Sequence, residues 1–495
     1  MRGSITGFIS VSLGLMLTVS VSTTVLADDF EKRFKLLEST IQDLLKRDEE
    51  KDRIIAELRD RISDLNAGRR IPEGDEQRQH DHHEHDHQDR AGGDAHEGHG
   101  EAQHAHHEGP DIFSLELDGG SVLRLRGLGV DTALSAGYSS ATDAQLNNLQ
   151  GGGHDPSQNG FTLRTVDLSI IGALDPYFDA ETHIALFLDD EGETRLELEE
   201  AFLTTKNLDA FDIKMGHYHT EFGYFNTLHL HDWDWVDQPI VLSRFFGGDG
   251  MRQIGARAGF TLSPDTRLLI GAQNAKGETM RSFIANDEVF EEAPIGGRSA
   301  NANEIDNLAE LVYAARLSHG ANFGSGQQWM FGISGAFGPN ATGNDAQTRI
   351  FGADVSSQIS LRGDRYMLWV MEGMYRYYEA VVDANNSLAA DDLEDWGLYS
   401  QLLYGLSSEW ALGLRYEFAT GSGESVGNFA NREADPFRTD RSRVSPLAQW
   451  QFAPSAKLRL QYNHDDSDDL ADDDVHSVWL DLSWSIGAGN SGDDH

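Results

Sequence analysis

Cysteine is absent from this chain of 495 residues. Disulfides, thiolate metal sites and thiol nucleophiles are therefore excluded. Basic residues are scarce, because 39 Lys and Arg stand against 82 Asp and Glu and give a formal charge of −43. A charge of this sign repels nucleic acid and attracts cations. We therefore exclude nucleic acid as a partner.

Long hydrophobic runs are also lacking. After the N-terminus no run reaches the roughly 18 apolar residues that a membrane-spanning helix needs. The common catalytic patterns GxSxG, HExxH and the Walker phosphate loop are absent as well. The chain is predicted not to be an enzyme, and any passage through a membrane has to use strands.

Residues 1–27 have the pattern of a secretory signal peptide. Arg2 precedes an apolar segment from Phe8 to Val21, and Ala27 provides a small residue before the charged Asp28. This order of a basic start, an apolar core and a small-residue cleavage site is typical of exported proteins. The mature protein is therefore predicted to leave the cytoplasm.

Residues 28–67 carry a heptad repeat of apolar residues separated by charged ones. The apolar positions are Phe34, Ile41, Ile55 and Ile62 at a, and Phe30, Leu37, Leu44, Leu58 and Leu65 at d. The spacing predicts a short coiled coil that self-associates through one narrow seam. The alternative is a single helix that packs on a globular partner.

Residues 68–110 form a predicted linker that is rich in His, Asp and Glu. Ten of the chain's 20 histidines lie here, at His80, His82, His83, His85, His87, His96, His99, His104, His106 and His107. Neutral imidazole binds Zn²⁺, Cu²⁺ and Ni²⁺, and many imidazoles on one chain can wrap an ion. The segment is predicted to bind metal, and the alternative is a solvated spacer.

From Ile112 onward apolar residues alternate with polar ones. Sixteen segments show the pattern, beginning near Val122, Phe161, Tyr177, Arg195, Phe211, Arg252, Thr266, Glu310, Trp329, Arg349, Arg365, Leu393, Glu409, Arg441, Lys457 and Val475. Their connections alternate between long and short, as in transmembrane barrels whose two termini face the periplasm. Residues 111–495 are therefore predicted to form an all-β, 16-stranded antiparallel transmembrane β-barrel.

The stretch from Phe211 to Asp249 is dense in His, Asp and Trp. Two His-x-His pairs and two carboxylates form a candidate Zn²⁺ site at His217, His219, His229, His231, Asp232 and Asp234. Residues two apart on a strand share a face, so each pair can present two imidazoles together. The alternative is that these histidines stack or hydrogen-bond beside the tryptophans.

Residues 220–250 are predicted to be a loop that folds into the barrel and narrows it. The residues assigned to this constriction are Glu221, Trp233, Trp235, Asp237 and Arg244. Strand alternation places a further set of basic residues on the lumen face, at Arg124, Arg126, Arg164, Arg415, Lys457 and Arg459.

The segment MGHYHTEFGYFNT resembles a strand of the phosphate-selective porin family that leads into a pore-constricting third loop. The matching residues are Lys214, Met215, Gly216, Phe222 and Gly223. The resemblance implies a homotrimeric outer-membrane channel with the coiled coil as a periplasmic stalk. The His-rich insert looks more like a zinc-associated branch of outer-membrane proteins that share this barrel.

The expected function is a passive channel for small hydrophilic solutes, in particular divalent metal ions such as zinc or their complexes. Two alternatives are an anion porin with an incidental His tract and a metal-sequestering protein with a plugged barrel. The barrel region departs from a phosphate-selective pattern, since 59 acidic and 25 basic residues follow residue 110. No obligatory cofactor is predicted, and Zn²⁺ is the ion expected to bind. Expected partners are outer-membrane lipid, lipopolysaccharide, further copies of the chain and the permeating solutes.

Overall fold

The computed structural model describes residues 111–488, apart from 118–119, 150, 189–191, 209, 286–294, 301–304, 306, 325, 344, 426–428 and 471–473. The predicted signal peptide, coiled coil, His-rich linker and C-terminal tail lie outside the described residues. Among the residues that are described, no helix has the length and apolarity needed to cross a membrane.

Sixteen antiparallel strands close into a barrel. They are β2 (Val122–Ser139), β3 (Gly160–Asp175), β4 (Phe178–Leu188), β5 (Thr194–Thr205), β6 (Phe211–His219), β7 (Arg252–Ser263), β8 (Thr266–Gln273), β9 (Val312–Asn322), β10 (Gln327–Pro339), β11 (Gln347–Ser360), β12 (Tyr366–Ala380), β13 (Asp391–Gly405), β14 (Trp410–Ser422), β15 (Arg441–Ala453), β16 (Ala456–Ser467) and β17 (Asp474–Ala488). Each pairs with its neighbours in sequence, and β17 pairs with β2 to complete the ring. The predicted 16-stranded barrel is confirmed.

A short additional strand, β1 (Phe113–Glu116), precedes the barrel. It pairs with residues 122–125 at the start of β2. Strand β17 reaches only as far as Leu128 on the same edge of β2. Strand β1 therefore extends the wall beyond the end of β17. This strand was not predicted from the sequence.

The two faces of each strand differ in polarity, as β14 illustrates. Leu412, Leu414 and Tyr416 each expose about half of their surface on the outside, while Arg415 and Glu417 are buried inside. The pleat directs successive side chains to opposite faces, so the alternation in the sequence sets which residues face the lumen. An apolar exterior with a polar interior is the arrangement expected of a barrel in a bilayer.

All connections longer than five residues lie at one end of the barrel. One end has eight loops, at residues 140–159, 189–193, 220–251, 274–311, 340–346, 381–390, 423–440 and 468–473, and the other has seven short turns. We number the loops 1 to 8 and use "loop end" and "turn end" for the two ends. Loop 1 contains the helix α1 (Asp143–Leu149), and loop 3 contains α2 (Ile240–Phe246).

Loops 3 and 4 fill much of the barrel interior. Apolar side chains of loop 3, including Phe222, Phe225 and Phe246, form a buried cluster with Phe283 of loop 4 and with inward residues of β9 to β13. The cluster fills one side of the lumen with apolar side chains. Each large side chain buried there contributes about 1.5–3 kcal/mol to the stability of the packing. The remaining polar lumen lies along the other strands.

Candidate functional site

Loop 3 crosses the lumen and is held against the wall formed by β14 to β16. The backbone N–H of Val236 donates to Gln461 Oε1 (2.7 Å), and that of Ile240 donates to Glu417 Oε2 (2.7 Å). The indole N–H of Trp235 donates to the carbonyl of Ser445 (3.2 Å). These bonds satisfy backbone groups that a buried loop would otherwise leave without partners.

Asp237 is the centre of this attachment and is fully buried. Its carboxylate pairs with Arg415 and with Arg443 (2.8 Å), and it accepts from Gln461 (2.7 Å) and Asn463 (2.6 Å). Burial alone would raise the pKa of Asp237, but the two arginines outweigh it and hold the pKa below its usual value. This end of loop 3 is therefore fixed by charge-assisted bonds.

The opposite wall, formed by β2 to β5, meets loop 3 at His229. The ring of His229 stacks on His183 of β4 at 4.1 Å between centroids. Its Nε2 lies 3.1 Å from Glu200 Oε2, and its Nδ1 lies 3.4 Å from Glu199 Oε2. Burial lowers the pKa of His229, but the two carboxylates outweigh this effect and raise it well above its usual value.

A bulge in β5 allows both glutamates to face the lumen. Along the β4–β5 ladder, His183 pairs with Glu200 while the next residue, Ile184, pairs with Leu198. Glu199 is thus the extra residue, and both it and Glu200 are buried inside while Leu198 is exposed outside. Adjacent residues of a regular strand point to opposite faces, and a bulge interrupts that alternation.

Three groups of side chains around His229 have the ligand types and spacing of metal sites. The first group is His154, Glu197 and Asp249, the second is Asp167, His183 and His229, and the third is Asp131, Asp167 and His231. Within each group one ligand atom per residue lies within 4.8 Å of the others. Imidazole and carboxylate are the ligands that Zn²⁺ and similar divalent ions accept.

Three buried atoms in or next to these groups have no hydrogen-bond partner. They are His154 Nε2, His219 Nδ1 and Asp167 Oδ1. A buried polar atom left in this state costs about 1–3 kcal/mol unless a water molecule or an ion satisfies it. A cavity of about 30 Å³ lies among His154, Glu199, His219 and His229. It has room for a cation or for one or two water molecules.

The predicted ligands of the His-x-His pairs separate into two sets. His229 and His231 belong to the second and third groups, and His231 Nε2 lies 3.6 Å from Asp232 Oδ1. His219 is buried with its ring centroid 5.8 Å from that of His229. His217 pairs in register with the outward-facing Ile254, and neither it nor Asp234 is in the three groups.

The predicted constriction residues all lie within the barrel, but they make different kinds of contact. Trp233 and Trp235 pack as buried apolar surface, and Asp237 forms the attachment described above. Glu221 contacts Arg257 (2.8 Å) and Lys214 (3.3 Å) near the start of loop 3. Arg244 donates to the carbonyl of Thr439 in loop 7 (2.7 Å).

The predicted lumen residues form ion pairs with acidic neighbours. Arg164 and Arg459 both bond to Asp481, at 2.9 and 2.5 Å. Near the turn end Arg124 and Arg126 bond to Asp175, at 2.5 and 3.4 Å. Arg415 bonds to Asp237 and Glu417, and Lys457 Nζ donates to the carbonyl of His231 (2.9 Å). Each of these positive charges is therefore compensated locally or engaged by loop 3.

His154 and His183 were not predicted to contribute to the site. Each is an isolated histidine, His154 in the glycine-rich loop 1 and His183 in a strand that alternates normally. The inward face of β4, which includes His183, could have been derived from the alternation. The position of His154 beside Glu197 depends on how loop 1 folds over the barrel and has no signal in the sequence.

No protein-family model matches the chain. A relative from Aquifex aeolicus (strain VF5), described as an uncharacterized protein, is 25% identical over 331 residues. The match covers 63% of this chain and 65% of that relative, which is less than two thirds of its length.

Several solved outer-membrane proteins have a similar arrangement of strands. The outer membrane channel DcaP of Acinetobacter baumannii is 13% identical, with a TM-score of 0.47 over 75% of this chain and 99% of that one. An anion-selective porin from Comamonas acidovorans is 9% identical, with a TM-score of 0.44 over 74% and 100%. OprB of Pseudomonas putida is 10% identical, with a TM-score of 0.42 over 74% and 94%. At this level of similarity the comparisons do not identify the function, which is therefore argued from the residues of the barrel.

Proposed function

We propose that this chain is an outer-membrane channel that admits divalent metal ions, zinc in particular, and has no enzymatic activity. The location is supported by the apolar exterior of the strands and by aromatic side chains near the turn end. Trp410 and Trp450 stack there at 5.5 Å, next to the turns at 406–409 and 454–455. Aromatic girdles of this kind sit at the edges of a bilayer.

The observation that carries the choice of solute is the set of imidazole–carboxylate groups between loops 1 and 3 and the lumen face of β2 to β5. An anion channel presents cationic side chains to its solute, whereas Arg164, Arg415 and Arg459 of this lumen are paired with aspartates. The surplus of acidic residues raises the local concentration of cations at the barrel mouth. Borderline-soft divalent ions are the cations that histidine ligands select.

The decisive measurement is the reversal potential of single channels in planar bilayers under a salt gradient. We expect cation selectivity, with ZnCl₂ reversibly reducing the potassium current because zinc resides longer at the imidazoles. Anion selectivity without an effect of zinc would instead establish the anion-porin alternative.

A second function, metal binding by a closed barrel, is favoured by the way loops 3 and 4 fill the interior. Phe222, Phe246 and Phe283 lie in one buried cluster that takes up lumen volume. Reconstituted protein that binds zinc but shows no conductance steps would favour this second function over the channel.

The His-rich segment 68–110 is proposed to collect metal ions in the periplasm, next to a coiled-coil stalk that holds a trimer. Imidazole ligates only when neutral, so binding weakens as the pH falls through the ordinary histidine pKa of about 6.5. Calorimetry on a peptide of residues 78–109 should show Zn²⁺ binding at about pH 7.5 that is largely lost at about pH 5.5. A pH-independent affinity would assign the metal to the carboxylates.

The proposed coiled-coil stalk can be tested by deleting it. Deleting residues 28–67 should leave a folded barrel whose oligomer dissociates at a lower temperature in mild detergent, because the apolar seam is removed. An unchanged oligomer would assign trimer formation to the barrel alone.

A further inference from the structure

The three metal-ligand groups are connected to one another through shared carboxylates. Glu199 lies between the first and second groups, with Oε1 at 3.4 Å from His154 Nε2 and Oε2 at 3.4 Å from His229 Nδ1. Its two oxygens thus face two different imidazoles. A carboxylate in this position can ligate one ion on each side or pass an ion between them.

Asp167 makes the second connection, because it belongs to both the second and the third groups. Its Oδ2 lies 3.4 Å from His183 Nδ1, and its Oδ1 is buried without a hydrogen-bond partner. In the β2–β3 ladder Asp167 stands directly opposite Asp131 of the third group. Oδ2 of Asp167 therefore already contacts the second group, and Oδ1 is the atom without a hydrogen-bond partner.

The groups are arranged along the length of the barrel. His154 and Asp249 of the first group belong to loops 1 and 3 at the loop end. In the third group the backbone carbonyl of His231 accepts from Lys457, the second residue of β16 after a turn at the turn end. Asp131 of the same group bonds to Ser485, near the turn-end terminus of β17.

We infer that these residues form a relay of three adjoining divalent-cation sites that leads from the loop end toward the turn end between loop 3 and the wall β2 to β5. The inference rests on the proposed function and adds the path that the metal ion follows through the barrel. An ion leaves one site without losing all its ligands, because Glu199 faces imidazoles of the first and second groups and Asp167 belongs to the second and third. Repulsion between ions in adjoining sites favours release, as in other multi-site pores.

Two arginines contact residues of the first group but leave ligand atoms available to a metal ion. Glu197 pairs through Oε1 with Arg252, which leaves Oε2 facing His154 at 4.0 Å. Arg164 bonds to the backbone carbonyl of His154 through Nε and to Asp481 of the nearby strand β17 through Nη1, and its own carbonyl accepts from His154 Nδ1. The ligand atoms of the first group are thus not occupied by these arginines.

Anomalous diffraction at the zinc edge tests the relay directly. Crystals of the full-length protein soaked in ZnCl₂ should show peaks beside His154, beside His229 and beside His231. Glu199→Gln should reduce the first two peaks and weaken zinc binding by at least the ~10–100-fold that loss of an outer-shell partner causes. Glu197→Gln should affect the first peak alone.

Asp474→Asn serves as the matched control, because Asp474 faces His464 at 3.7 Å in an exposed pair away from the three groups. It should leave all three lumen peaks in place. Heat-modified mobility in electrophoresis verifies that each variant folds, and the intact third peak in Glu199→Gln provides an internal standard.

The outcomes separate this inference from the proposed function. Zinc current without lumen peaks beside His154 and His229 overturns the relay and leaves the channel. Peaks in all three groups with no zinc current support the three sites and overturn conduction. Peaks that persist unchanged in Glu199→Gln overturn the sharing of that carboxylate.

Discussion

Loop 3 is held at two walls by carboxylates that are paired with different bases. On β14 to β16 the wall supplies the base, with Arg415 and Arg443 around Asp237 of loop 3. On β2 to β5 the wall supplies the carboxylates, and the base is His229 of loop 3, between Glu199 and Glu200. A guanidinium stays protonated and offers only donors, whereas a neutral imidazole has a lone pair that binds metal. The first wall therefore fixes the loop, and the second can exchange a proton for an ion.

The largest effect is expected on the arginine wall. Asp237→Ala leaves Arg415 and Arg443 without their shared carboxylate, and breaking a buried pair costs about 3–5 kcal/mol. We expect the lower value, because Arg415 retains Glu417 and Arg443 retains Asp465. The free energy of unfolding, measured with urea in detergent micelles, should fall by about 3 kcal/mol.

Release of loop 3 in this variant should also raise the single-channel conductance, because the loop occupies the lumen. Asp237→Asn is the graded control, since an amide keeps the hydrogen-bonding geometry and loses only the charge. Equal stability of Asp237→Ala and the parent would show that the apolar cluster alone holds the loop.

An intermediate effect is expected on the histidine wall. His229→Ala removes an imidazole of the second group, and the zinc concentration that half-inhibits the potassium current should rise about tenfold, equivalent to about 1.4 kcal/mol. The matched control is His464→Ala, which changes a half-buried histidine near His476 and outside the three groups. A loss of zinc inhibition in His464→Ala as well would place the metal on the outer surface.

The smallest effect is expected where loop 3 begins. Glu221 lies between Arg257 and Lys214, and Arg257 has a second partner in Asp212. Glu221→Gln should lower the free energy of unfolding by about 1 kcal/mol. Zinc inhibition should be unchanged, because Glu221 belongs to none of the three groups. A large change in that inhibition would extend the relay beyond Asp131 and the β2–β5 wall.

Strand positions could be predicted because their cause is local. The pleat gives every strand a period of two, so alternation alone located all sixteen barrel strands, and the inward positions of Arg415 and Glu417 followed. The sorting of long and short connections then predicted closure into a barrel. Strand β1 was missed because it has only four residues: Phe113 and Leu115 alternate with Ser114 and Glu116, but the pattern ends before it can be told from a loop.

The candidate site could be predicted only in part. His229 and His231 were predicted from their spacing in one segment, and both belong to groups of side chains that could hold a metal ion. Glu199 and Glu200 carried no such signal, because consecutive glutamates on a regular strand would face opposite sides. Only the bulge opposite His183 brings them to the same face.

The sequence by itself thus determined the number of barrel strands and, where the alternation is regular, the face of each strand side chain, since these depend on neighbours along the chain. The tertiary structure decided which histidines meet which carboxylates. His154 and Asp249 are brought together only when loops 1 and 3 fold onto β5. Contacts between residues so far apart depend on the closure of the barrel and on the path of loop 3, which no local pattern specifies.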